Sequence, residues 1–316
     1  MKLLRTIYSF ILLSAFLTGC NIYDDQSDCP GNVVLLFDYP YNGNQTTFLD
    51  RVSRVNVGIY GMDGTLVERR QIEDNDLEKF QGMTVNLPVG EYKAVFWGNA
   101  YDNTSINWND ERVYNSRLYD ANPRISSDDD LTFSQLTFSV KVADVDSIPV
   151  HFEPAYVTMQ VAVIDNDGSL LPDLTGGVVL NEEELPYVDV RNLPDEVYDF
   201  NMQNCDTEGR DFYPQWVQQP AGRTRAGATI WTANTYVHRM SNDNPVVVSL
   251  FDNAINNTTL NSTVLKDYIT ANPNYAIVPQ KEQTIYISYV IEKKGDDIDV
   301  TLKPLPWWEI TVVPNT

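Results

Sequence analysis

Basic residues are scarce in this chain: 22 Lys and Arg stand against 44 Asp and Glu, a formal net charge of −22 over 316 residues. Holding a phosphate backbone takes a concentrated basic surface that displaces counterions, so nucleic acid is excluded as a partner. The small basic clusters, at 68–71, 222–225 and 292–295, read as solvated turns. Histidine and cysteine are scarcer still, with 2 and 3 copies. Once one Cys is committed to a lipid, as argued below, the remainder cannot assemble a zinc pattern, and no C-x-x-C is present. Sequences of the G-x-S-x-G, Walker or dinucleotide-fingerprint type are also missing. The reading is therefore of a protein that is not an enzyme and carries no cofactor or metal.

Long apolar runs are equally rare, and the one that exists lies at the start. Lys2 and Arg5 precede an apolar stretch from Ile7 to Phe16, too short to span a bilayer comfortably and of the length of a signal peptide. Leu17-Thr18-Gly19-Cys20 follows and resembles the bacterial lipobox, in which cleavage falls between Gly19 and Cys20 after the thiol has received a diacylglycerol. Two or three acyl chains on one residue hold a protein at a membrane where a single chain is marginal. The expectation is a signal peptide over 1–19 and a lipidated Cys20 that remains. Loss of Lys2 and Arg5 takes the formal charge from −22 to −24. Asn21, not Asp, follows the Cys, and Asp24-Asp25 reads either as an export signal to the outer leaflet or as a solvated linker. Cys29 and Cys205 are too far apart in sequence for their pairing to be decided.

What is abundant is strand pattern. Aromatics make up 11% of the chain, 18 of them Tyr, which suits pleated and half-buried surfaces. Strand-like runs recur at 33–39, 54–60, 66–72, 83–87, 91–97, 132–142 and 148–152. A second series follows at 156–164, 178–190, 197–202, 228–237, 245–251, 284–291, 297–302 and 307–313. Val55, Val57 and Ile59 alternate with Asn56 and Gly58, the pattern of a strand with one wet face, and Met62-Asp63-Gly64 turns it into a hairpin. Residues 91–97 are apolar on both faces, which predicts a central strand. Leu260, Val264, Leu265 and Ile269 recur at helical spacing and predict one helix over 259–269, ended by Asn272-Pro273. Long βαβ alternation is missing, so two antiparallel sandwiches joined near Glu153-Pro154 are expected. The polar stretch 101–130 reads as a long surface loop or partner contact.

Several constellations invite chemistry and are outweighed by plainer readings. Asp165 to Asp173 lacks the ligand spacing of a calcium loop relative to Gly168 and reads as a turn. Asp128, Asp129 and Asp130 could gather a cation, but adjacent loop carboxylates are usually solvated. His151 and His238 both fall at strand ends, where an ordinary structural or exposed histidine is expected. Asp146-Ser147-Ile148 resembles a short O-glycosylation motif of Bacteroidales, making Ser147 a candidate modification site.

The lipobox Cys, the acidic linker, Asp28-Cys29-Pro30, an early strand ending Phe37-Asp38-Tyr39, and the run from Leu87 to Asn99 together resemble the fimbrillin-associated anchor and accessory subunits of Bacteroidales, the FimB-like lipoproteins of type V fimbriae. The turn motif comprises Leu87, Pro88, Gly90 and Tyr92, continued by Trp97, Gly98 and Asn99. The stretch 192–200 is a weaker second copy without the Gly, and 304–313 resembles the family's C-terminal strand. The resemblance implies an all-β protein of two tandem transthyretin-like Greek-key sandwiches with at most one or two short helices. Their expected extents are 20–30 for the lipidated linker, 31–153 and 154–303 for the sandwiches, and 304–316 for a C-terminal strand or tail. It also implies an outer-membrane lipoprotein, surface-exposed, that anchors a fimbrial stalk or regulates its assembly by strand addition to fimbrillin subunits. Trp307, Trp308, Ile310 and Val312 are the candidate exchange segment, against the plainer reading that they close their own sandwich. Cleavage after Arg51 or Arg54 would sever Cys20 from the body, which argues for a retained first strand.

Two rival readings share the same features. A fimbrial tip adhesin would display 101–130 to a host or bacterial surface ligand, and a glycan-binding lipoprotein would stack sugars on aromatics at 105–110 or 213–218.

Overall fold

Val33, Leu35 and Phe37 alternate with Val34, Leu36 and Asp38, and in the computed structural model this period places the first set in a core. The structure describes residues 30–40, 48–121, 125–141, 145–166, 186–193, 197–203, 205, 210–219, 229–253, 255–278, 280–294 and 297–310. It is all-β and built of sandwiches, with two short α-helices among the described residues, Asp74–Lys79 and Leu265–Ala271.

Strand β1 (Pro30–Asp38) lies between β4 (Gly82–Pro88) and β9 (Val145–His151), antiparallel to the first and parallel to the second. Facing this sheet is a five-stranded one in the order β10 (Glu153–Pro154), β8 (Thr132–Val140), β5 (Gly90–Gly98), β2 (Arg54–Gly61), β3 (Leu66–Glu73). Leu35, Val57, Ile59, Val85, Ala94, Phe96 and Phe152 fill the space between the two sheets. Phe37, Phe96 and Phe152 meet edge to face there, with ring centroids 5.5 to 6.0 Å apart. Strand β5 is central, between β2 and β8, as its two apolar faces predict. The β2–β3 hairpin turns through Gly64 at φ +83°.

A third layer covers the outer face of that five-stranded sheet. It consists of β6 (Thr104–Asn107) and β7 (Arg112–Asn115), to which β13 (Val197–Asp199) adds antiparallel from far along the chain. Tyr60, Val95, Trp97, Trp108, Val113, Phe133, Tyr198 and Phe200 make up this second core. Two expectations are corrected here. Strand β2 has no wet face: Asn56 is buried, and the Trp108 ring lies so close over Gly58 that a Cβ there would collide with it. The stretch 101–130 is not a surface loop, because Trp108, Val113, Leu118 and Ile125 are buried. Polar residues dominate its count, yet the few apolar ones fall where a sheet with two apolar faces needs covering.

The second sandwich pairs a sheet in the order β15 (Trp216–Gln219), β16 (Thr229–His238), β11 (Tyr156–Asp165), β19 (Thr284–Lys294), β20 (Asp297–Lys303) with one in the order β14 (Arg210–Phe212), β12 (Tyr187–Leu193), β17 (Val247–Phe251), β18 (Thr259–Val264). Met159, Val161, Val163, Val190, Val248, Trp231, Ile287 and Tyr289 form its core. Ile125 joins this core, and bridges to Phe212, so the 101–130 stretch touches both sandwiches. Most pairings are antiparallel as expected, but β11 runs parallel to β19, as β1 does to β9. In both cases the strands are far apart in sequence, with several other strands between them, so the long connection that a parallel pair needs is available.

The helix predicted over 259–269 splits. Thr259–Val264 is strand β18, paired with β17, and only Leu265–Ala271 is helical, burying Leu265, Tyr268 and Ile269. Thr259, Thr263 and Val264 are β-branched, and a partner strand supplies the ladder, so tertiary pairing wins over the helical spacing. Strand formation over 307–313 is also corrected: Trp307–Glu309 is a 3-10 turn after Pro306, and Val312 lies outside the described residues.

Trp97 is fully buried between Phe133, at 4.7 Å, and Phe200, at 6.1 Å. Trp97→Ala is expected to lower the unfolding free energy by about 3–5 kcal/mol, measured by denaturant titration.

Candidate functional site

The turn motif carries the chain from one sheet to the other. Leu87 and Pro88 end β4 in the first sheet, and Gly90 opens β5 in the second. The Tyr92 hydroxyl donates back to the Pro88 carbonyl at 3.0 Å while its ring packs 5.8 Å from Phe138, pinning the arch. Its continuation is a hub. Gly98 packs so closely that a Cβ would collide with Thr132 Oγ1 and approach Val52 Cγ1 to 2.9 Å. Asn99 sits at φ +58°, a left-handed value that Asn tolerates better than most residues. Its Nδ2 donates to the Arg51 carbonyl at 2.7 Å and the Asp130 carbonyl at 3.3 Å. Its Oδ1 accepts from Ser53 N at 3.1 Å and from the Tyr101 hydroxyl at 3.2 Å. One buried amide thus ties the entry to β2, the exit of β5 and the approach to β8. These residues build the scaffold: Leu87, Tyr92, Trp97, Gly98 and Asn99 are buried, and Pro88 alone of the motif is exposed.

The weaker second copy does not repeat this role. Tyr198 lies in the third layer against the first sandwich, its ring 5.0 Å from His238, and its hydroxyl donates to the Arg239 carbonyl.

Asp128 and Asp129 of the acidic triplet are buried, and Asp130 is half-buried. Asp128 is 3% exposed, accepts from Asn115 Nδ2 at 2.8 Å and from His238 N at 3.1 Å, and has His238 Nε2 at 3.7 Å. Burial pushes its carboxyl up, with His238 and the Asn115 hydrogen bond pulling it back. Asp129 accepts from Tyr101 N at 2.7 Å and Thr104 Oγ1 at 2.6 Å. Asp130 is pushed up to about 6, chiefly by burial, with the charges of Asp129 and Glu282 adding and Arg51 opposing. Beside it Arg51 pairs with Glu282 at 3.2 Å, joining the two sandwiches. Among the described residues no three His, Cys, Asp or Glu are placed to hold a metal ion. Sequence reasoning missed this cluster because its carboxylates meet partners that are not chain neighbours, from Asn115, 13 positions from Asp128, to His238, 110 positions from it.

His151 is exposed and pairs with Asp38 at 2.5 Å, and His238 is buried at the end of β16. The C-terminal segment packs on the outer face of its own sheet: Trp307 and Ile310 lie against Ile164, Ile230 and Val290. Tyr275 donates to the Pro304 carbonyl at 2.8 Å, and Ser288 to that of Leu305 at 2.8 Å. Trp308 remains 50% exposed, its ring 5.6 Å from Tyr286 at 84°. Ser147 is exposed on β9 and Cys205 is an exposed free thiol. Gly19, Cys20 and Cys29 lie outside the described residues. Trp108, the aromatic of 105–110, is buried and unavailable for stacking on a sugar, and nothing is described of the Trp216 side chain. No helix among the described residues is long and apolar enough to cross a membrane.

Residues 26–313 match the family model of the fimbrillin-A associated anchor proteins Mfa1 and Mfa2. The chain belongs to this family. Solved structures agree in fold. The fimbrial anchor protein Mfa2 of Porphyromonas gingivalis aligns at 15% identity over 88% of this chain and 98% of its own, with TM-score 0.60. A protein of Bacteroides thetaiotaomicron assigned as a candidate polysaccharide binder aligns at 14% identity over 89% and 100%, with TM-score 0.63. A candidate adhesin of the same organism aligns at 15% over 87% and 97%, with TM-score 0.61. No curated protein matches the chain. The family turn motif is structural, and the contacts available to a fimbrial partner are strand edges and exposed side chains.

Asn99→Ala is expected to lower the unfolding free energy by about 2–4 kcal/mol. Asn99→Gly, which accepts the left-handed φ without the hydrogen bonds, should recover about 1 kcal/mol in the same titration. A carboxyl raised in the folded state binds more protons there than in the unfolded chain, so its contribution to stability grows as pH falls from 7.5 through about 6 toward the ordinary carboxylate range. Asp130→Asn should therefore raise the melting temperature relative to the parent at pH 7.5, with the difference vanishing near pH 4.

Proposed function

We propose that this chain is an outer-membrane lipoprotein, tethered through acyl chains on Cys20, that anchors a fimbrial stalk or regulates its assembly by strand addition to fimbrillin subunits. The observation that carries this reading is the position of β1. The strand nearest the lipidation motif is not at an edge but in the middle of its sheet, in register with β4 from Pro30 to Leu36 and with β9 from Asn32 to Asp38. Pulling on the lipid loads two ladders in shear at once, which suits a tether. Removing β1 would empty the first core of Val33, Leu35 and Phe37, so the strand is better retained than cut away. From Cys20 to Pro30 a fully extended chain spans at most about 35 Å, so the first sandwich would stand close to the bilayer. Arg51, one candidate cleavage position, is engaged with Glu282, and its carbonyl accepts from Asn99.

Family membership supports the fimbrial partner, and the lipobox supports the membrane. A second reading, a surface glycan binder or tip adhesin, is favoured by one feature: the exposed Trp308 meets the half-buried Tyr286 in an aromatic corner on which a sugar ring could stack.

The test is Cys20→Ser expressed from the native locus. The expected result is loss of acyl labelling, release of the protein from the outer membrane, and detached or overlong fimbriae by electron microscopy. Normal fimbriae would refute the anchor role. Normal fimbriae with polysaccharide affinity lost in Trp308→Ala would favour the second reading.

A further inference from the structure

The sheet edges of this protein are guarded unequally. Strand β3 carries Glu68, Arg69, Arg70 and Glu73, and Arg70 Nη1 reaches across to the Thr84 carbonyl of the β4 edge at 3.1 Å. Strand β20 carries Asp297, Asp299 and Lys303. Charges of this kind keep an edge from pairing with other chains. Strand β8 has none: Thr132 to Val140 contains no charge and no proline. On one side it pairs with β5 along its whole length, and on the other only Thr132 and Phe133 are paired, with β10. No described residue pairs with that outer edge from Ser134 to Val140.

Next to this edge a groove of about 350 Å³ opens toward β9, lined by Ser134, Gln135, Leu136, Pro149 and His151 among others. The opposite wall cannot offer a full ladder, because Pro149 has no N–H. The floor is apolar. Leu136 from β8 and Ile148 from β9 pack against the first core from the two sides of the seam and are only partly buried. Charges stand at the ends: His151 with Asp38, and Glu153, at one, Lys141 with Asp146 at the other.

We propose that this seam is a strand-accepting site, in which an extended segment of a fimbrial partner subunit pairs with the outer edge of β8 over 134–140. Its main-chain groups complete the β8 ladder, and every second side chain, apolar and uncharged, lands on Leu136 and Ile148. The occupant is a single free strand. The edge of an intact sheet, including that of a second copy, is held off by the β9 wall, and the described strands of this chain are already committed to sheets. The identity of the partner rests on the fimbrial reading above; the location of the groove does not.

The test places the photo-crosslinker p-benzoylphenylalanine at Gln135 and at Thr137, both exposed on β8, and at the exposed Val67 on the charged β3 edge as control, in the full-length lipidated protein in its own outer membrane. The expected result is an adduct at both β8 positions with one extended segment of a co-assembled fimbrial subunit, mapped by mass spectrometry, at least tenfold above Val67. The double variant Gln135→Lys with Thr137→Lys should reduce co-purified fimbrial subunit at least tenfold at unchanged melting temperature. Adducts as strong at Val67, or formed with residues 311–316 of the same chain or with a second copy, would overturn the site. So would silent β8 positions in a membrane where the fimbrial subunit still co-purifies, and the anchor reading would then stand. A membrane from which no fimbrial subunit co-purifies would bring down both.

Discussion

The rest of the structure depends on a sheet that must be covered on both faces. Strands β2 and β5 direct Val57, Ile59, Ala94 and Phe96 into one core and Tyr60, Val95 and Trp97 into another. An ordinary sandwich supplies only one partner sheet. The second cover comes from the β6–β7 hairpin, inserted after β5, and from β13, which belongs to a much later part of the chain. Trp108 and Phe200 are the wedges of that cover, 5.4 Å apart ring to ring, with Phe200 6.4 Å from Tyr60. Burial of this much aromatic surface is large compared with any hydrogen bond in the molecule.

Because the cover is shared, the two sandwiches are not independent beads. Ile125 leaves the third layer to enter the second core, Asp128 receives the amide of His238, and Arg51 meets Glu282. These polar ties are buried or half-buried, where leaving one partner alone costs more than the pair contributes. Such a cluster enforces geometry more than it adds stability. For an anchor-family protein that is a useful property, since load entering at one end must reach the other without a hinge.

Much of the strand layout was legible in the sequence, because a period of two with β-branched and aromatic residues has few other realisations. The early hairpin through Gly64, the centrality of β5 and the end of the helix at Asn272-Pro273 were all readable in this way. The family turn motif carries the chain between facing sheets. What misled was composition averaged over a stretch. Residues 101–130 are polar in count, yet Trp108, Val113, Leu118 and Ile125 place them in two cores. Trp307 read as strand because of the apolar alternation after it, while Pro304 and Pro306 and a ready apolar patch at Ile164, Ile230 and Val290 hold it as a turn.

The sequence by itself determined the all-β class, the net acidity and the family resemblance, because each is a property of composition or of neighbours in the chain. Only the tertiary structure decided that Asp128 and Asp129 are buried clamps, that β1 is locked mid-sheet between one antiparallel and one parallel neighbour, and that β8 keeps an unguarded edge. The reason is physical. Burial, register and edge status depend on which distant strand arrives alongside, and a local pattern holds no information about its partner until long-range packing selects one.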